Sequence, residues 1–224
     1  MCGLHVVALV SGGKDSCFNM MECVRHGHNI VVLANLYPPR DHPSDELDSW
    51  AFQTVGHDAM SHYAECMNIP MIRCSIKGQA LHTVCDYVQT AGDETEDLYR
   101  LLRSVQLRYP EVQAVASGAI LSTYQRLRIE EVCSRLGLVS LAYLWQRNQE
   151  KLLSEMVDAG LDAILIKVAA YGLQVTQHLG KSLDYMQPLL QKMHRDFGLH
   201  ICGEGGEYET FTLDCPLFRK SLRM

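Results

Sequence analysis

The chain has 224 residues, of which 47% are hydrophobic and 21% charged. That composition belongs to a folded globular protein and excludes a disordered one. The formal net charge is -6 with ten histidines counted neutral, so no general electrostatic pull toward nucleic acid is expected, although a local basic face around Arg126 and Arg128 stays compatible with it.

No stretch reaches the roughly 20 apolar residues a membrane span needs. The N-terminal apolar run Val6 to Val10 is too short for a signal peptide. A soluble, cytoplasmic protein without membrane or nucleic-acid partners is expected. The nine cysteines include no Cys-x-x-Cys pair. An odd, scattered set reads as free thiols in a reducing compartment.

His5 to Val10 reads as a buried strand, followed by a helix through Cys17, Met20, Met21 and Val24 that Gly27 closes. Asn29 to Leu36 is a second strand, and Tyr37 to Ser44, with three prolines, is a loop. Leu47 to Met67 carries a long helical pattern through Trp50, Val55, Ala59, Tyr63 and Cys66. Met71 to Ile76 is a third strand. Glu94 to Tyr109 is a helix whose acidic first turn suits its dipole. Val112 to Ile120 is a fourth strand and Thr123 to Leu136 a helix. Leu141 to Trp145 reads as a strand, and Asn148 caps a helix to Ala159. Asp162 to Ala170 is a strand, Ser182 caps a helix to Phe197, and Leu199 to Cys202 is a short strand. Strand–helix alternation predicts a parallel sheet covered on both faces. The pattern divides near Gly137, giving residues 1–137 and a smaller C-terminal α/β lobe over 138–224. Asp214 to Phe218 reads as the start of further structure with only six residues to follow, so a shortened chain or one domain of a longer protein is expected.

Ser11-Gly12-Gly13-Lys14-Asp15-Ser16 sits between the first strand and the first helix. A helix N-terminus beyond the carboxyl end of a strand offers unpaired amides and a partial positive charge to phosphate. Gly12 and Gly13 let the backbone approach anionic oxygens. Lys14 adds a full charge, and the Ser11 and Ser16 hydroxyls can donate. Asp15 is unsuited to phosphate, which assigns it to a magnesium ion or its water shell. The stretch is not a Walker loop, because Ala8 stands where the first glycine belongs and Asp15 follows the lysine.

Gly203-Glu204-Gly205-Gly206-Glu207-Tyr208-Glu209-Thr210-Phe211 crowds three carboxylates among three glycines. Like charges this close cost energy unless a cation faces them or a raised pKa neutralises one. Such a loop can bind magnesium, hold a cationic substrate or supply a general base. A solvated acidic turn is the alternative.

The first motif resembles the PP-loop of the N-type ATP pyrophosphatases, which cleave ATP between the α and β phosphates. Together, the two motifs resemble the diphthine–ammonia ligase family, as do Ser44-Asp45-Glu46-Leu47-Asp48-Ser49, Gly118-Ala119-Ile120-Leu121-Ser122, Tyr124-Gln125-Arg126, Tyr143-Leu144-Trp145-Gln146-Arg147-Asn148 and Ile166-Lys167-Val168-Ala169-Ala170. The likeness runs from Val6 to Phe218. It implies an adenine nucleotide alpha-hydrolase-like (HUP/PP-loop) fold. It also implies ATP-dependent amidation of diphthine on elongation factor 2 with ammonia, through an acyl-adenylate, with Mg2+ assisting. The same resemblance puts Ser11, Gly12, Gly13, Lys14, Asp15 and Ser16 on the phosphates. It places Ala34, Asn35, Leu36, Ser117, Gly118 and Ala119 beside the adenosine, and Arg126 or Arg128 on a phosphate. Glu204, Glu207 and Glu209 then face the substrate, with Lys14 and Asp15 completing the catalytic set. Trp145 and Tyr208 are candidates for the trimethylammonium group of diphthine. A tRNA-directed PP-loop enzyme and a non-catalytic ATP sensor are the competing expectations.

Met1-Cys2-Gly3 is similar to the start of N-terminal-cysteine amidotransferases, but the phosphate strand follows too soon for a glutaminase domain, so free ammonium is the expected nitrogen source. His26 with His28 and His57 with His62 lack a convincing metal-ligand set.

Overall fold

The computed structural model describes residues 3–39, 49–82, 84 and 86–223. Five parallel strands form the main sheet: β1 (His5–Leu9), β2 (Asn29–Tyr37), β3 (Met71–Ser75), β4 (Ala114–Ala116) and β5 (Val139–Leu141), in the order β3-β2-β1-β4-β5. β1 lies at the centre, and its Val6, Val7 and Ala8 are fully buried. A strand covered on both faces must be apolar throughout, which explains a run without polar alternation.

Successive β1 residues serve opposite faces. Val6 and Ala8 pack with helix α1 (Lys14–Arg25), through Cys17, Phe18 and Met20. Val7 packs with α3 (Glu94–Arg108) and α4 (Thr123–Leu136), through Leu98, Leu101, Leu102, Ile129 and Val132. The α1 face is also covered by the C-terminal part, built from α5 (Gln149–Asp158), α7 (Leu183–Phe197) and an antiparallel pair, β6 (Asp162–Val168) with β7 (Tyr208–Asp214). Two short helices complete the chain: α2 (Tyr63–Met67) and α6 (Val175–His178).

The caps follow the sequence. Asp93 accepts the Thr95 amide, Ser122 the Gln125 amide and Asn148 the Lys151 amide, starting α3, α4 and α5. Ser182 occupies the cap position of α7 without a side-chain cap bond. Gly137 ends α4 at φ +67°, where a side chain would be strained. β5 follows it and remains an edge strand of the main sheet.

Four predicted elements come out differently. The helix expected over Leu47 to Met67 is irregular from Ser49, passes through a 3-10 turn (Ala59–His62) and becomes α-helical only in α2. Gly56 at φ +79° interrupts it, and Trp50, read as part of an apolar stripe, is 59% exposed. The strand expected over Leu141 to Trp145 ends at Leu141. The chain then turns, with Gln146 at φ +55°. Val112 to Ile120 is a strand only over Ala114–Ala116. Leu199 to Cys202 is a turn, closed by the Gly203 amide on the His200 carbonyl. The place beside β6 is taken instead by β7, the second half of the acidic motif.

The seven described cysteines are free thiols, and burial pushes Cys17 to about 11 and Cys23 to about 12. Cys2, Cys85, most of the proline loop at 37–44 and most of the 44–49 stretch lie outside the described residues. Among those residues no helix is long and apolar enough to cross a membrane.

Candidate nucleotide site

The direction of strand order reverses between β1 and β4, and a crevice opens there beyond the strands' carboxyl ends. It is a cleft of about 840 Å³, lined by residues 9–11, 14–16 and 34–36, by 49–54 and 117–125 in part, and by Lys167, His200, 203–206 and 208–210 from the C-terminal part. That volume suits a nucleotide-sized ligand.

The turn after β1 is held from several sides. Gly12 has φ +92°, and a Cβ there would meet the Phe211 ring at 2.7 Å and the Met60 sulfur at 2.8 Å. Its carbonyl accepts from the Tyr63 hydroxyl and the Thr212 amide, both at 2.8 Å. The Lys14 amide donates to Thr210 Oγ1 at 3.0 Å. The Lys14 ammonium donates to the Cys202 carbonyl at 2.5 Å and to Asp15 Oδ2 at 2.9 Å, with the Tyr208 ring centroid 5.1 Å away. Ser16 Oγ donates to the Gly13 carbonyl at 3.0 Å, and the Gly13 amide donates to Ser11 Oγ at 3.4 Å.

What stays open is the next half-turn. The amides of Asp15 and Ser16 have no acceptor among the described residues. A Cβ on Gly118 would meet Asp15 C at 2.6 Å and Ser16 N at 2.7 Å. The absent side chain therefore keeps this helix N-terminus clear for an anion.

Ser11, Lys14, Asp15, Ser16, Ala34, Asn35, Leu36, Ser117, Gly118, Glu204 and Glu209 all line the cleft. Gly12, Gly13, Ala119, Glu207 and Arg126 do not. Gly12 faces inward onto Phe211 and Ala119 is buried. Arg126 pairs with Glu130 at 2.6 Å and lies 4.5 Å over Trp145, so both the expected phosphate arginine and the expected aromatic are engaged with each other. Arg128 is fully buried, stacked 3.8 Å from the Tyr124 centroid and donating to the Val84 carbonyl at 2.8 Å.

The three motif glutamates separate. Gly203, Gly205 and Gly206 have φ of +71°, +92° and +82°, and this tight turn fans the side chains apart. Glu204 accepts the amides of Ser122 at 2.7 Å and Leu121 at 3.2 Å. Glu209 pairs with Lys167 at 3.3 Å. Glu207 accepts the His200 amide at 3.0 Å, while its backbone carbonyl accepts the Ala169 and Ala170 amides. Burial raises its pKa.

Asp15 Oδ1 is buried and has no hydrogen-bond partner among the described residues. Burial raises the Asp15 pKa, against the lowering pull of the Lys14 ammonium. No group of three His, Cys, Asp or Glu poised for a metal occurs among the described residues. A single carboxylate oxygen beside a phosphate site still fits magnesium, which binds through one or two carboxylates plus substrate phosphates.

Sequence reasoning missed several cleft residues. Trp50 and Tyr124 form a tilted aromatic pair at 5.7 Å on its wall. Gln53 reaches from the irregular segment to the Thr210 carbonyl at 3.1 Å. Glu94 lies buried beneath, bound by Ser49 Oγ at 2.7 Å and the Tyr124 hydroxyl at 3.3 Å, and burial raises its pKa. Burial first, then the Lys14 charge, lowers the His200 pKa. The phosphate turn gave no hint of these positions, since they converge only through the tertiary fold. The first histidine pair is structural: His28 accepts the Leu4 amide at 3.1 Å and bonds the Tyr143 hydroxyl at 2.7 Å, while His26 stacks on the Tyr143 ring at 4.2 Å.

A central parallel strand, a glycine-rich turn and a helix N-terminus at the switch point define an α/β protein with helices on both faces of its sheet and a nucleotide-sized cleft at the strands' carboxyl ends. The diphthamide synthase N-terminal domain model matches residues 4–140 and the diphthamide synthase C-terminal domain model residues 148–224. The chain belongs to the diphthamide synthase family. A Danio rerio protein named diphthine--ammonia ligase is 58% identical over 98% of this chain and 86% of its own length. The Homo sapiens protein of that name is 56% identical over 98% and 82%. The Schizosaccharomyces pombe one is 57% identical over 98% of this chain but 36% of its own length. Among solved structures, a predicted subunit of a tRNA methyltransferase from Methanocaldococcus jannaschii aligns over 98% of this chain and 100% of that one. It does so at 12% identity with a TM-score of 0.40.

Proposed function

We propose that this chain is a cytoplasmic ligase that amidates diphthine on elongation factor 2 with free ammonium, converting ATP to AMP and diphosphate. The observation that carries it is the open pair of amides at Asp15 and Ser16, at the switch point of a chain in this family. A carboxylate is a poor acyl donor, and transfer of AMP to its oxygen supplies a good leaving group.

The chain's own residues have separable tasks. The Asp15 and Ser16 amides and the α1 dipole bind phosphate oxygens, each oriented donor being worth roughly 10²-fold in rate in a dry site. Lys14 neutralises charge that develops on the departing diphosphate. Asp15 Oδ1 would hold Mg2+ together with phosphate oxygens. Ala34, Asn35, Leu36, Ser117 and Gly118 form the adenosine side. Glu204 and Glu209, across the cleft, form the substrate side with Trp50, whose exposed ring suits a trimethylammonium group and which Tyr124 backs. The main-sheet part thus supplies the nucleotide side, and the C-terminal part supplies the two glutamates of the substrate side.

The test combines purified protein, ATP, ammonium and elongation factor 2 carrying diphthine. Stoichiometric AMP and amide are expected. AMP formation stimulated by tRNA alone, or nucleotide binding with no AMP under any substrate, would replace this reading with one of its two competitors.

A further inference from the structure

Thr210 belongs to the acidic motif, yet its hydroxyl contacts the phosphate turn. Gly13 holds the N-cap position of α1 and has no side chain with which to cap it. A Cβ there would come within 2.7 Å of Gln53 Oε1, the movable end of a side chain, so Gly13 lacks a cap by its chemistry and not by a rigid obstacle. The capping hydroxyl comes instead from β7: Thr210 Oγ1 accepts the Lys14 amide at 3.0 Å, and both residues are buried. Two residues along the strand, the Thr212 amide holds the Gly12 carbonyl at 2.8 Å. The Tyr63 hydroxyl spans the Gly12 and Thr212 carbonyls at 2.8 and 2.9 Å. β7 therefore grips the turn at two points, Gly12 C=O and Lys14 N–H.

We propose that Thr210 is a positioning residue for nucleotide binding: its hydroxyl caps α1 from the other half of the protein and so aims the Asp15 and Ser16 amides into the cleft. This rests on the nucleotide reading above. Unpaired amides at a helix start are free to fray, and a fixed acceptor on the first of them orients those that follow. A motif on the substrate side thereby sets the geometry of the phosphate side, and anything that shifts β7 changes nucleotide affinity.

The test measures calorimetric binding of a non-hydrolysable ATP analogue to the full chain. Thr210→Val keeps the shape and removes the acceptor, and about tenfold weaker binding is expected. Thr210→Ser restores the hydroxyl and recovers most of the affinity. Thr210→Ala, which removes the same acceptor, weakens binding in the same direction and carries the test if Thr210→Val fails to fold. The KM for diphthine-bearing elongation factor 2 stays as in the parent protein for variants that fold. Equal binding by the parent and Thr210→Val, equal impairment of the Ser and Val variants, or a change confined to the protein-substrate KM overturns the inference. A parent protein that binds no analogue overturns the nucleotide reading itself.

Discussion

The Glu204 carboxylate accepts the Ser122 amide at 2.7 Å, so a residue of the acidic motif caps the helix that follows β4. Its second contact, the Leu121 amide at 3.2 Å, lies one residue earlier. A carboxylate at a helix N-terminus satisfies orphan donors and complements the dipole. Glu204 therefore ties the C-terminal part to the main sheet across the cleft. Glu204→Ala should lose about 1 kcal/mol, read as a fall of about 2–4 °C in melting temperature for a chain of this size. Glu204→Gln, which keeps an acceptor oxygen, should lose less. Unchanged melting for Glu204→Ala would remove this role.

Gly118 faces the opposite wall of the same opening. Its φ is not in the left-handed region, so a methyl group there meets a purely steric obstacle, the Asp15–Ser16 peptide at 2.6–2.7 Å. Gly118→Ala should weaken nucleotide binding at least about tenfold, because neither backbone segment can yield as a flexible side chain would. Titration with an ATP analogue checks it, and parent-like affinity would show that the peptide is not the binding surface.

Most of this architecture was readable in the sequence. The buried run Val6 to Val10, the capping residue Asn148 and Gly27 just beyond α1 carry local signals that the fold preserves. Reading failed where tertiary contacts overrode local pattern. Residues 49–58 carry helical spacing, but Gly56 breaks it, and Gln53 and Ser49 instead bond Thr210 and Glu94 across the cleft. The crowded glutamates left a magnesium site, a cationic-substrate site, a general base and a solvated turn open, and in the fold three left-handed glycines turn them to three different partners. Arg126 sat one helical turn into α4, and nothing local revealed that Trp145 and Glu130 hold it.

The pair Arg135 and Glu96 links α4 to α3 through two hydrogen bonds of 2.7 and 3.0 Å. Hydrogen bonding to Arg135 holds the Glu96 carboxyl below its ordinary 4.5. A depressed folded-state pKa contributes stability that is full above the unfolded value and lost as pH falls through the folded one. Glu96→Gln should therefore cost about 1 kcal/mol at neutral pH, and the difference from the parent should shrink in acid below pH 4.5. Denaturant unfolding at several pH values checks the sign. A difference that grows in acid would contradict it.

Lys14 is buried with its ammonium on the Cys202 carbonyl and Asp15. Charge stabilisation in a dry site requires the cation itself. Lys14→Met should lower turnover by roughly 10²-fold or more, while the KM for the protein substrate stays near the parent value. A variant with parent-like turnover would take Lys14 out of the chemistry.

The central claim is that the first turn of α1 grips phosphate. A crystal structure of this chain with a non-hydrolysable ATP analogue tests it most directly. The account predicts phosphate oxygens within hydrogen-bond distance of the Asp15 and Ser16 amides, with the adenosine between residues 34–36 and 117–118. A nucleotide bound elsewhere with this turn empty would contradict it.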